Sequence, residues 1–217
     1  MNKTFLFRST DSTVDYDRTK TSDLRDSLET ALDRTVIVQT KNMIGGGVVL
    51  GDKVITSYIL VANFQEVFVR FRRGKKMIAF VTRRDSNRNL AELVPSDRTL
   101  TSQSREHIVN SPNPTISKMR EIGHPLIVVN VATGVPAIKV AGMLYVTIVS
   151  ERFEDIWKIN HFAPKGLMGG GVWNIDGEFL GISIGEKIPP ITSQKLESPS
   201  VYALPGEEVM NFAESSN

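Results

Sequence analysis

The sequence predicts an all-β protein built as two six-stranded halves, with a helix ahead of the first and a short helix closing the second. Three observations carry this. Short runs of β-branched and aromatic residues recur along the chain, and such residues suit a pleated, half-buried surface. Gly, Asp and Asn turn signals separate many of those runs. A polar stretch at 101–120, containing Asn110-Ser-Pro-Asn-Pro114, divides the runs into two sets. Many short strands with little helix suit a barrel or a sandwich.

The elements follow in order. Residues 1–34 read as an arm and a helix. The arm is polar, and its one apolar cluster is Phe5-Leu6-Phe7. Ser22 to Asp33 then sets Leu24, Leu28, Ala31 and Leu32 on one helical face. Ser22 is the expected N-cap. Residues 35–217 form the main domain, with a first half at 35–100, a linker at 101–120 and a second half at 121–217.

In the first half, Val36–Val38 is a β-branched run, and Gly45-Gly46-Gly47 leads into Val48–Leu50. Gly51-Asp52 signals a hairpin turn before Val54–Thr56. Val67, Val69 and Phe71 alternate with polar residues, as a half-buried strand does. A turn at Arg73–Lys75 and strands at Met77–Val81 and Leu90–Leu93 complete the set. The second half predicts strands at Ile127–Val131, Ala137–Val140, Leu144–Val149, Gly171–Asn174, Phe179–Ile184 and Val201–Leu204. Asp176-Gly177 is a hairpin turn, and Gly206–Ala213 is the closing helix.

Composition bounds the function. The chain has 217 residues, 41% apolar and 23% charged, values of a globular protein. Twenty-six Lys and Arg against 24 Asp and Glu give a net charge of +2, too mild to demand a nucleic-acid partner. With no cysteine, disulfides, thiolate metal sites and a thiol nucleophile are excluded. The apolar stretch Leu126–Val149 contains Asn130, Gly134, Pro136, Lys139 and Gly142. It therefore reads as buried strands rather than a membrane-spanning helix. Phe5–Phe7 is too short for a secretory signal. The expectation is a cytoplasmic protein with no cofactor and no membrane partner.

Four stretches, in order, resemble the trypsin-like serine proteases of the HtrA/Deg type over roughly residues 35 to 213. Gly45 to Val61 resembles the opening hairpin and the segment that carries the family's histidine. Asp85-Ser-Asn-Arg-Asn-Leu-Ala-Glu-Leu93 resembles the segment that carries its aspartate. Gly166-Leu-Met-Gly-Gly-Gly-Val172 resembles the nucleophile turn, Gly-Asn-Ser-Gly-Gly-Pro-Leu. Val201-Tyr-Ala-Leu-Pro205 and the residues after it resemble the last strand and C-terminal helix. The resemblance implies two six-stranded antiparallel β-barrels. It also implies where the catalytic groups would lie. The histidine position falls on Ile59, the aspartate position on Asn89 and the serine position on Met168.

Acyl transfer in this family needs a hydroxyl nucleophile, an imidazole that takes its proton and a carboxylate that holds the imidazole. An alkyl group, a neutral amide and a thioether supply none of these. A relocated dyad would pair His161 with Ser57 or another hydroxyl. The plainer reading makes His161 a loop residue, while His107 lies in the linker and His124 at a strand entrance. Gly166 and Met168 are the family's oxyanion-hole positions, and Gly169 and Gly170 keep the glycine-rich turn. A need for positive φ explains such glycines without any ligand. Gly171 stands where the family has proline. Ile59 and Met168 make the old cleft an apolar contact, either self-filled or open to a partner.

Arg70 to Arg84 holds seven basic residues: Arg70, Arg72, Arg73, Lys75, Lys76, Arg83 and Arg84. The run reads as a patch for an acidic protein face or for phosphate, or as a solvated sheet edge. Phe71 and Phe80 within it read as core. The functional expectation is a non-catalytic pseudoprotease that binds a protein or peptide as a scaffold or regulator. The alternatives are a serine endopeptidase with a non-standard site, and nucleic-acid binding through the basic run.

Overall fold

The computed structural model describes residues 18–72, 74–96, 113–117, 124–147, 156–160, 168–185 and 201–215. One strand of the first barrel alternates strictly. In β4 (Glu66–Phe71), Val67, Val69 and Phe71 are buried, while Glu66, Phe68 and Arg70 face outward. The other strands are β1 (Thr35–Gln39), β2 (Ile44–Leu50), β3 (Lys53–Ser57), β5 (Lys76–Asp85) and β6 (Leu90–Pro95). They close in the order β1-β2-β3-β6-β5-β4, with β4 returning to β1.

The second barrel is made of β7 (Pro125–Asn130), β8 (Ala137–Thr147), β9 (Ile156–Asn160), β10 (Gly171–Asn174), β11 (Phe179–Gly185) and β12 (Val201–Pro205). Its closed order, β10-β11-β12-β9-β8-β7, is the same ring of strand neighbours as in the first. Closure leaves neither sheet with an open edge along its length.

Among the described residues, three apolar clusters hold the fold. Val36, Val38, Val69 and Leu93 fill the first barrel. Leu126, Val128, Trp157 and Leu180 fill the second. The third lies between them, where Val48, Leu50 and Ile55 meet Ile127, Trp173, Ile182 and Leu204. Trp173 and Phe179 meet there with ring centroids 5.1 Å apart and planes tilted by 57°. This seam positions the site.

Two helices brace the seam. α1 (Arg18–Asp33) packs Leu28, Ala31 and Leu32 into it. Arg72 of the first barrel ion-pairs with Glu29 and Asp33 of α1. The hydrogen bond to Glu29 raises the guanidinium pKa above its ordinary value. A one-turn helix, α2 (Tyr58–Val61), follows β3. The closing helix α3 (Gly206–Glu214) leaves β12 and docks back on the first barrel. Arg88 pairs with Glu208 at 3.1 Å, and Lys53 donates to the Ala213 carbonyl at 3.2 Å. No helix among the described residues is long and apolar enough to cross a membrane.

Several local expectations are corrected. α1 begins by Arg18, so Ser22 lies inside it and is no cap. Leu24 is 42% exposed, because the seam receives the helix only from Ser27 onward. The two strands expected at 137–140 and 144–149 are one, β8. A bulge between Met143 and Tyr145 keeps the chain paired past Gly142. The sixth strand of that barrel is β9, five residues following the charged run Glu151-Arg-Phe-Glu-Asp155. Phe71 is core, but Phe80 is 43% exposed, since it falls on the outward register of β5 opposite Glu66.

Candidate functional site

Backbone meets backbone where the barrels touch. Gly46 of β2 donates its N–H to the Met168 carbonyl at 2.8 Å. Gly169 donates to the Ser183 carbonyl at 2.6 Å, and Ser183 donates to the Gly170 carbonyl at 2.8 Å. A Cβ on Gly46 would stand 2.6 Å from the Gly170 Cα. A Cβ on Gly45 would meet the Met168 carbonyl oxygen at the same distance. Gly169 has φ +81°, and a Cβ there would fall 2.2 Å from the Gly46 carbonyl oxygen and 2.5 Å from Thr56 Oγ1. Only glycine permits both the conformation and the approach. Thr56 Oγ1 in turn donates to the Gly46 carbonyl at 2.6 Å. At Gly171 a side chain would run into the Trp173 indole, its Cβ falling 2.5 Å from Nε1. That accounts for glycine where the resembling family has proline.

Asn89 stands at the end of the β5–β6 turn, fully buried and with φ +56°. Asparagine tolerates this left-handed conformation better than most residues. Its Oδ1 accepts from Ser57 Oγ and from the Ile59 backbone N–H, each at 3.0 Å. Its Nδ2 donates to the Ile184 carbonyl of β11 across the seam, at a long 3.5 Å. Its own carbonyl accepts from the Tyr58 N–H at 3.0 Å. The side chain therefore ties β3, α2 and the second barrel together, and both ends of the amide are used.

Ile59 has its backbone N–H on Asn89, and its side chain is 37% exposed. Met168 is partly buried and packs on the first barrel's core. Met168 and Asn89 thus both reach the β2–β3–α2 face of the seam. Ser57 is fully buried with its hydroxyl donated to Asn89. His124 stands immediately before β7. Gly166, His107, His161 and Arg73 lie outside the described residues. Among the described residues no group of acidic and histidine side chains converges as metal ligands.

Sequence reading missed Ser183, whose two backbone groups hold the Gly169-Gly170 turn. Its position in β11 opposite that turn follows from strand register, which no local motif announces.

The structure divides the basic run. Arg70 donates to the Gly134 carbonyl in the β7–β8 turn. Arg72 is held by α1. Arg83 pairs with Glu92 at 3.4 Å and lies 3.8 Å over the Phe212 ring, while Arg84 donates to the Phe64 carbonyl. Lys75 and Lys76 are exposed, and Lys76 Nζ sits 4.0 Å over the Phe68 ring. Most of these cations therefore brace the fold.

Asn89→Ala is expected to cost about 2 kcal/mol, because it strands the buried Ser57 hydroxyl and Ile59 N–H. Asn89→Gly is expected to cost less, since it keeps the φ free. Urea denaturation of the two variants checks the order.

No family model matches the chain, and no curated protein matches it. Solved structures do. Rv3671c from M. tuberculosis H37Rv, a serine-to-alanine mutant in its inactive form, is 18% identical with a TM-score of 0.66; the match covers 85% of this chain and 87% of that one. The HtrA-type protease AlgW with a tripeptide is 17% identical with a TM-score of 0.70, over 88% of this chain and 62% of its own. A serine endoprotease from Yersinia pestis is 16% identical with a TM-score of 0.67, over 88% and 65%. Their barrels and these agree, and the chain has the two-barrel fold of the trypsin-like serine proteases, with HtrA-type enzymes among its structural neighbours.

Proposed function

We propose that this chain is a protease-fold protein without proteolytic activity, acting as a protein-binding scaffold or regulator. The observation that carries the reading is the bond from the Ile59 N–H to Asn89 Oδ1 at 3.0 Å. By resemblance these residues occupy the histidine and aspartate positions. An alkyl group there takes no proton, and the amide beside it is neutral and already engaged on Ser57 and Ile184. Met168, at the serine position, offers a thioether and packs on the first barrel's core. Function lives in the site rather than the fold, and loss of any one triad member costs several orders of magnitude in rate. A protein-binding role needs none of these groups, since peptides are also recognised through surface grooves and pockets.

The test is a quenched-fluorescent peptide library incubated with the purified full chain. The expected outcome is no cleavage above buffer. Turnover that tracks the protein through successive purification steps and a serine substitution would contradict the reading.

A further inference from the structure

The outer face of the first barrel carries a groove of about 150 Å³ beside the β7–β8 turn of the second. Ile37 forms its floor, an outward residue of β1 that is nonetheless only 4% exposed. Ile44 and Phe68 form the walls, flanking Gln39 from β2 and β4. They are 37% and 44% exposed. Met43 adjoins Ile44, and Val135 adjoins Gly134 at the groove's edge. These make four of the eight large exposed apolar side chains among the described residues, so the apolar surface is concentrated here rather than scattered.

The same groove is basic. Arg70 and Lys76 line it, and no carboxylate does. Lys41 and Lys75 are exposed in the adjoining turns. The β7–β8 turn, residues 131–136, carries no charge. The nearest acid along the strands is Glu66, two residues before Phe68. Lys76 is held over the Phe68 ring, which fixes a cation at the apolar wall.

We propose that this groove binds an extended acidic segment of a partner protein, with one Leu or Phe side chain between Ile44 and Phe68 and a neighbouring carboxylate on Lys76. A cavity of about 150 Å³ accepts a benzene-sized group, hence one such side chain. Charge selects among occupants. A second copy docked groove to groove would set Arg70 and Lys76 against their own kind. The chain's own Phe5-Leu6-Phe7 is flanked by Lys3 and Arg8, the wrong sign. A nucleic acid would match the cations, but Lys76 already covers the Phe68 face on which a base would stack.

The inference deepens the protein-binding reading and rests on it. It uses none of the residues of the Ile59–Met168 site, however. Cleavage of the peptide library would therefore overturn that reading, whereas failure of the following selection removes the groove alone.

The experiment is a selection of random phage-displayed dodecapeptides on the full chain, with the Phe68→Ser/Lys76→Glu double variant as counter-target. Both positions are exposed, and circular dichroism checks that the variant stays folded. The expected result is enrichment of peptides with one Leu or Phe among Asp and Glu. Synthetic copies should bind the double variant at least about tenfold more weakly and lose affinity as salt rises. Several outcomes overturn the proposal: no enrichment, equal binding to the variant, or enriched peptides without acidic residues. Two others give the groove a different occupant and also overturn it. One is a Lys76-dependent complex with oligothymidylate. The other is a concentration-dependent dimer abolished by Phe68→Ser.

Discussion

Gly169→Ala is expected to destabilise the protein by about 4 kcal/mol, or to lower its melting temperature by about 12 °C. Two costs add. A residue with a Cβ is strained at φ +81°. That Cβ would also fall 2.2 Å from a carbonyl oxygen of the opposite barrel, so the turn must retreat. Retreat weakens the bonds from Gly46 to Met168 and from Gly169 to Ser183, and opens the seam. Gly51→Ala separates the two costs. Gly51 has φ +59°, but a Cβ there meets nothing closer than Asn113 Oδ1 at 3.8 Å. It should lose only about 1 kcal/mol. Equal losses at the two positions, measured by calorimetry, would mean that the contact between the barrels contributes nothing.

Glu92→Ala is expected to cost about 3 kcal/mol and to loosen α3. The carboxylate is buried on β6 and meets Lys53 at 3.2 Å, Arg83 at 3.4 Å and Thr82 Oγ1 at 2.8 Å. Removing one partner of such a group leaves the others facing an uncompensated site. Lys53 and Arg83 keep about a quarter of their exposure, which places the cost at the lower end of the usual range. Both cations also hold α3. Lys53 donates to the Ala213 carbonyl, and Arg83 reaches Ser215 Oγ at 3.1 Å over the Phe212 ring. Cations at this end also suit the helix dipole. Amide hydrogen exchange across Gly206–Glu214 should therefore quicken in the variant. A small loss of stability with unchanged exchange would show that the helix is held by Val209 and Phe212 packing alone.

Local chemistry made much of this fold legible. The Asp176-Gly177 turn is where composition puts it, with Gly177 at φ +79° and Asn174 Oδ1 accepting from the Asp176 and Glu178 N–H groups. Alternation marked β4 residue by residue. What sequence could not give was decided by distant partners. Gly142 looks like a break, yet it pairs with Pro125 on one side and Asn160 on the other. Arg72 looks like part of a surface patch, but its partners lie on a helix some forty positions earlier. In the sequence Asn89 stands out only by resemblance, as the aspartate position. Its weight comes from Ser57, Ile59 and Ile184, which only barrel closure brings to it. The glycines Gly45–Gly47 and Gly169–Gly170 were visible as two motifs, while their mutual contact was not.

The proposed loss of proteolysis requires that Ile59, Asn89 and Met168 supply no activated nucleophile. Treatment of the native full chain with a fluorophosphonate probe, followed by intact-mass and peptide-mapping spectrometry, tests this most directly. Unmodified protein is expected under conditions that fully label an active serine protease. Stoichiometric labelling of one serine, lost on heat denaturation and on substitution of that serine by alanine, would contradict it.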